Sequence, residues 1–305
     1  MSPAPDPTSG EAPDPAALLR SPGYVRLLVL AALLGVPISV LSYAFLQAVA
    51  ALERVLHTDL PAALGLGGTP IWWPLPLLGV GGLLVGAAVR YLPGRGGRSP
   101  ADGFGTHAPP TGRELPGVLL AAAATLAFGA VLGPEAPLIA LGGGLALLAV
   151  RTARQESPDR VRAVVAGAGS FAAISALLGS PLLGAFLLME VAGIGGPMLG
   201  LVLLPGLLAA GVGSLVFVGL DALTGLGSVS LALPGLPVFD RPDVAQFGWA
   251  IVIGVGAAVL GSVITQVGLQ LRAVVEHSTV LLTGAAGVVV ALLAVLYAAL
   301  TGHAT

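Results

Sequence analysis

The stretch GAVLGPEAPLIALGGGLA (residues 129–146) decides how this chain is read. It is apolar on both sides of a single carboxylate, Glu135, and no other charged residue lies between Glu114 and Arg151. Gly133-Pro134 precede the carboxylate and Ala136-Pro137 follow it. Proline suits the first turn of a helix, where a missing N–H costs nothing, and disrupts a helix interior. The spacing therefore predicts that an apolar helix over about 115–132 ends here and that a second begins at Glu135. In hydrocarbon such a break persists only where its backbone is buried or lines a cavity. A helix N-terminus presents free N–H groups and a partial positive charge, which together hold an anion without a lysine. A carboxylate tethered at that spot competes with a soluble anion for the same donors. Protonating it, or swinging it away, would open the site. Placing a carboxylate mid-bilayer costs about 2.5–3.5 kcal/mol on insertion scales, which marks such residues as functional; the plainer alternative is a protonated or hydrogen-bonded packing residue.

The flanking sequence supplies the membrane. Of 305 residues, 56% are hydrophobic and 9% charged, against about 25% charged in an average soluble domain. Gly (45) and Pro (25) are abundant, as membrane helices tolerate. Apolar segments run over about 24–57, 71–91, 115–132, 136–150, 161–178, 181–193, 197–220, 244–276 and 279–301. Several reach the ~20 residues that cross a bilayer. The first is long enough to require a strong tilt. Residues 93–114, rich in Gly, Pro and Arg, read as a loop with a short re-entrant turn. The Pro-rich, acidic residues 1–21 lack the basic start and apolar core of a signal peptide and read as a disordered cytoplasmic tail. The fold class is thus an all-α polytopic membrane protein.

Arginine supplies all the positive charge, and there is neither lysine nor cysteine. Arg20 and Arg26 precede the first span, Arg90, Arg95, Arg98 and Arg113 share one loop, and Arg151, Arg154, Arg160 and Arg162 share another. Loops 57–70 and 221–240 have no Arg. The positive-inside rule puts the Arg-rich loops and the N-terminus in the cytoplasm. The first long segment ends LQAVAALERVLH (46–57) and the penultimate one ends LQLRAVVEH (269–277). Each is followed by a Gly-rich span, at 77–94 and 281–302, and the two copies start on opposite sides. That pattern predicts an inverted-topology repeat, with chance resemblance between Leu- and Gly-rich helices as the alternative. The first repeat covers about 22–220 and the second begins at about 244–302, so the chain is expected to stop two helices into its second copy.

Other residues bear on the site. Glu190 is the only charged residue between Arg162 and Asp221. Helix starts at Gly96-Gly97-Arg98-Ser99-Pro100, with Ser99 a candidate N-cap, and at Gly179-Ser180-Pro181 could converge on Glu135; an ordinary surface turn and a helix hairpin are the alternatives. Gly129, Gly133, Gly142, Gly143 and Gly144 allow close backbone approach, and packing alone accounts for them. His57, His107, His277 and His303 fall in loops or at span ends, and no H-E-x-x-H or paired intramembrane Asp suggests hydrolysis. Neither an enzyme nor a cofactor is expected, nor a nucleic-acid partner.

At these residues the sequence resembles the CLC family of chloride channels and chloride/proton antiporters. Residues 129–146 are similar to the family's G-[KR]-E-G-P motif and the glycines after it, and the gating glutamate of that motif falls on Glu135. The stretch AGAGSFAAISALLGSPLLGAFLLMEV (166–191) is similar to a second family segment, with Pro181 and Glu190 matching. The resemblance spans about 22–302 and implies a CLC-like inverted repeat with tilted and broken helices. It implies a pore for chloride or a similar small anion and a homodimer in the cell membrane. Backbone groups around Gly133, Pro134, Ala136, Pro137, Gly97 and Ser99 would line the anion path. Three departures shape the expectation. Pro134 replaces the basic residue before the glutamate, Ala136 replaces the glycine after it, and GGRSP replaces the family's G-S-G-x-P turn. Val191 stands where antiporters carry an inner proton-transfer glutamate, which favours passive conduction. The alternative is a non-transporting membrane scaffold or the truncated half of a CLC-like transporter.

Overall fold

The structure, a computed structural model, describes residues 21–97, 109–130, 132–152, 159–192, 197–227, 241 and 243–302. Residues 1–20, residues 98–108 of the 93–114 loop including Ser99, and most of the 221–243 loop lie outside them. Described elements are all helical: α1 (Pro22–Arg54), a π-helical turn (Val55–Asp59), α2 (Leu60–Ala63), α3 (Pro74–Tyr91), α4 (Leu115–Ala127), α5 (Glu135–Thr152), α6 (Asp159–Leu178), α7 (Pro181–Ala192), α8 (Pro197–Thr224), α9 (Val244–His277) and α10 (Thr279–Thr301). Six helical stretches among the described residues are long and apolar enough to cross a membrane. At 1.5 Å per residue, the 33 residues of α1 extend about 50 Å, well beyond a hydrocarbon core of about 30 Å. Ser21 caps α1, its hydroxyl accepting from Tyr24 N–H at 3.2 Å.

Small residues set the core, because apolar helices in lipid associate by close packing rather than by escape from water. Helices α1 and α8 meet once per turn: a Cβ on Gly35 would strike Ala209 O, one on Gly213 would strike Ser39 Oγ, and the rings of Tyr43 and Phe217 pack edge to face at 5.4 Å. Each contact advances by four residues on both helices, so the two run parallel. Tyr43 OH extends the seam to Thr224 Oγ1 at 2.6 Å. The same stepping joins α6 to α8, through Gly167 against Val202, Phe171 against Gly206, and Ser175 Oγ donating to Ala210 O at 3.4 Å. Helix α5 closes on α6 at Gly142 and Gly169, where each glycine's missing Cβ leaves room for the other's carbonyl. The resulting core holds Ile38, Leu138, Val165, Ala172 and Leu177, all essentially inaccessible.

The two Gly-rich spans that the sequence paired pack directly on each other as α3 and α10. Gly79, Gly82 and Gly86 of α3 align at one constant offset with Gly284, Gly287 and Ala291 of α10. A Cβ on Gly82 would strike Thr283 O, and one on Gly287 would strike Leu78 O; Gly79 faces Val288 and Gly284 faces Leu83. At that offset Thr283 is the counterpart of Leu78 and Val288 of Leu83. These two pairs of contacts are therefore matched under exchange of the helices, which run antiparallel about a local two-fold axis, as expected for corresponding members of an inverted repeat. The preceding helices differ: α1 is enveloped by α4, α5, α6 and α8, whereas α9 has no buried residue among those described and packs chiefly on α10.

The α3–α10 contact makes a direct expectation. Gly82→Val or Gly287→Val should each lose about 1–3 kcal/mol by overpacking, read as a lower thermal midpoint in detergent. Gly256→Ala on α9, where a Cβ meets nothing within 4 Å, should be neutral or slightly stabilising.

Candidate functional site

The interruption before Glu135 is built by backbone geometry. Helix α4 stops at Ala127, five residues earlier than its apolar run suggests. Gly129 takes φ +92°; its N–H donates to Leu126 O and that of Ala130 to Thr125 O, both at 3.1 Å. This is the paired-bond helix stop that needs a left-handed residue, which is why the helix ends at Gly129 rather than at the prolines. Leu132 follows with its N–H on Ala130 O at 2.8 Å and its side chain 57% exposed.

Helix α5 then starts at Glu135, as the sequence predicts. Its first hydrogen bond runs from Leu138 N–H to Pro134 O at 3.0 Å. Pro134 and Pro137 have no N–H, so the donors left at this terminus are Glu135 and Ala136, with Gly133 just before them. The two prolines expected to line an anion path therefore shape the turn and donate nothing. The Glu135 side chain folds back over Gly133: a Cβ on that glycine would lie 2.7 Å from Oε1 and closer still to Oε2. Glycine at 133 is what lets the carboxylate occupy the mouth of its own helix. Helix α5 is held from behind, where Ser170 Oγ donates to Ile139 O at 3.0 Å and Gly142–Gly144 are buried.

The other sequence-predicted positions separate. Gly97 (φ +95°) packs against Val118 in the first turns of α4, near the end of that helix opposite the break. Residues Gly94, Arg95, Gly96 and Gly97 all take positive φ, a left-handed turn that three glycines make accessible. Ser99 lies outside the described residues. Glu190 and Val191 occupy the last turn of α7. The Gly179-Ser180-Pro181 break is a hairpin: Gly179 takes φ +64°, Ser180 Oγ accepts from Leu183 N–H at 3.4 Å, and Gly184 of α7 returns against Ser175 of α6.

One residue set aside as a loop histidine reaches the break. The π-helical turn carries His57 against Gly129, whose Cβ would sit 3.1 Å from Cε1. Buried Nε2 finds no hydrogen-bond partner among the described residues. The turn is anchored by Trp73 Nε1–H on Leu56 O at 3.0 Å and Thr69 Oγ1–H on His57 O at 2.9 Å. Nothing local in the sequence signals this contact, because it depends on how α1 lies against α4.

The fold defines a multi-pass membrane protein with a broken helix pair, and a carboxylate stands at the start of the second of these helices. The chain belongs to the voltage-gated chloride channel family, whose model matches residues 81–305. YfeO of Salmonella schwarzengrund, which is named as an ion-transport protein, is 32% identical over 164 residues, covering 52% of this chain and 38% of that protein. YfeO of Salmonella paratyphi A matches to the same extent. A crystal structure of a slow cyanobacterial Cl−/H+ antiporter superposes with a TM-score of 0.68 at 18% identity, over 88% of this chain and 64% of that one. The chain thus spans less than two thirds of the length of the proteins it matches.

Two glycines should differ in kind. Gly129→Ala forces a left-handed alanine against His57 and should cost about 1–2 kcal/mol, seen as a lower melting temperature. Gly133→Ala should leave the melting temperature within experimental error while displacing the Glu135 carboxylate, detected as a changed anion efflux from proteoliposomes.

Proposed function

We propose that the chain forms part of a pathway for passive movement of chloride or a similar small anion, with Glu135 as its gate. The observation that carries this reading is the Glu135 carboxylate folded over Gly133, at a helix start whose free N–H groups belong to Glu135 and Ala136. A negative side chain there excludes an anion from donors that would otherwise stabilise it. Neutralising the carboxylate releases them. The route is argued from two independent supports, the family and the local geometry. Val191, at the position where antiporters of the family carry a carboxylate, favours uncoupled flow. The parallel course of α1, α6 and α8, with Arg26 and Arg162 at their starts, favours a cytoplasmic N-terminus by the positive-inside rule. A homodimer in the cell membrane follows by family likeness.

Purified protein in chloride-loaded liposomes tests the gate. A negative charge at a helix N-terminus is stabilised by up to about 2 kcal/mol. Glu135→Gln, which removes that charge, should therefore raise efflux by up to about thirtyfold. Efflux unchanged by the substitution would remove Glu135 from the gate. Chloride-driven proton uptake by the unmodified protein would overturn uncoupled flow. A second reading is favoured by the bare surface of α9: conduction requires helices laid against α9 that are not among those described, and this segment alone is a scaffold. Well-inserted protein without any efflux would select it.

A further inference from the structure

Three span ends converge at one place away from Glu135. Tyr91 closes α3, His277 closes α9 and Thr279 opens α10, and a cleft of about 340 Å³ lies among them, lined by Arg90, Tyr91, Arg95, Glu276, His277 and Thr279. Because these residues terminate bilayer-length helices, the cleft sits at headgroup depth. Neither Arg90 nor Arg95 makes an ion pair among the described residues, whereas Glu276 is engaged by Arg272 at 3.0 Å. The cleft therefore carries surplus positive charge. Ser278, the residue preceding α10, makes no side-chain cap to that helix, so the first N–H groups of α10 open onto the hollow and partly offset the carbonyl ends of α3 and α9, leaving the two arginines as the source of its positive charge.

A second observation comes from the adjoining surface. An apolar groove of about 380 Å³ runs between α3 and α4, lined by Leu84, Ala87, Tyr91, Leu92, Leu120 and Ala124. Tyr91 belongs to both hollows. From Tyr91 back to Leu84 the groove follows two turns of α3, about 10 Å into the apolar span. A basic hollow at headgroup depth joined to an apolar channel directed into the membrane has the shape and polarity of one kind of ligand.

We propose that this paired hollow binds an anionic glycerophospholipid, its phosphate between Arg90 and Arg95 and one acyl chain in the α3–α4 groove. Basic pockets between membrane helices select anionic headgroups in this way. The lipid bridges the end of α3 to the α9–α10 turn and so ties the first repeat to the start of the second. The leaflet, cytoplasmic, follows from the orientation proposed above; binding itself depends neither on that orientation nor on anion flux.

Native mass spectrometry of the full chain in detergent, titrated with dioleoyl phosphatidylglycerol or dioleoyl phosphatidylcholine, tests this without measuring transport. Phosphatidylglycerol should be retained about thirtyfold more strongly, the scale of two surface cations acting on one anionic lipid. The preference should vanish in the double variant Arg90→Gln, Arg95→Gln and persist in Arg151→Gln, which removes an exposed arginine elsewhere. Ala124→Phe, which fills the groove, should weaken phosphatidylglycerol retention while the melting temperature holds. Equal retention of the two lipids by the unmodified chain would overturn the proposal, as would an unaltered preference in the double variant or unaltered retention in Ala124→Phe. Displacement of phosphatidylglycerol by inorganic phosphate at equal concentration would also overturn it, since the hollow would then be a site for free anions.

Discussion

Everything in this molecule depends on how closely one helix backbone can approach another. Lipid removes the drive that water gives to apolar association, so contact must come from packing at short range. The chain meets that requirement by placing a missing Cβ opposite a backbone carbonyl: Gly35 against Ala209, Gly142 against Gly169, Gly82 against Thr283 and Gly287 against Leu78. Where such contacts recur each turn, the helices lock in register, as α1 does with α8. Where none is seen, as at Gly248, Gly254, Gly256 and Gly261 of α9, the helix buries no residue among those described. The high glycine content is thus structural in origin, and its pattern sets which helices are neighbours.

A packed set of unbroken helices would offer an anion nothing. In the proposed reading the break between α4 and α5 supplies what they lack, because it leaves the backbone N–H groups of Glu135 and Ala136 outside the helical ladder. Its construction divides the labour among unlike residues. Gly129 stops the first helix by left-handed geometry, Pro134 and Pro137 restrict the turn and subtract donors, and Gly133 leaves space for the returning carboxylate. Ser170, reaching Ile139 O from α6, fixes the second helix from the opposite side. The charged residue is one of six that make the arrangement, and the other five are small, rigid or uncharged.

The local two-fold at α3–α10 gives the chain a second organising centre. Its axis passes through a seam in which each glycine meets the counterpart of the residue its own counterpart meets. The seam ends at a polar hollow because three spans terminate there together. Strain collects nearby as well, in the left-handed run from Gly94 to Gly97, which turns the chain off α3 and back toward the start of α4. The connection between repeats is therefore both the most symmetric part of the molecule at its middle and among the most polar at its rim.

Much of this was legible along the chain. Apolar runs located the helices, and the α5, α9 and α10 starts fall within a residue of where the sequence puts them, since residues such as Pro134 and the capping Asp243 act on their immediate neighbours. Isolation of Glu135 among apolar residues marked the candidate site, because burying charge is costly wherever the helix lies. The similarity of 77–94 to 281–302 pointed to an inverted repeat. What only tertiary structure decided is every contact between distant segments: His57 on Gly129, Gly97 on Val118 instead of beside Glu135, the joining of the arginine cleft to an apolar groove, and the bareness of α9. Helix starts and stops follow from energies within a few residues. Which faces meet follows from complementary surfaces separated by tens to hundreds of positions, and composition and spacing leave that choice open.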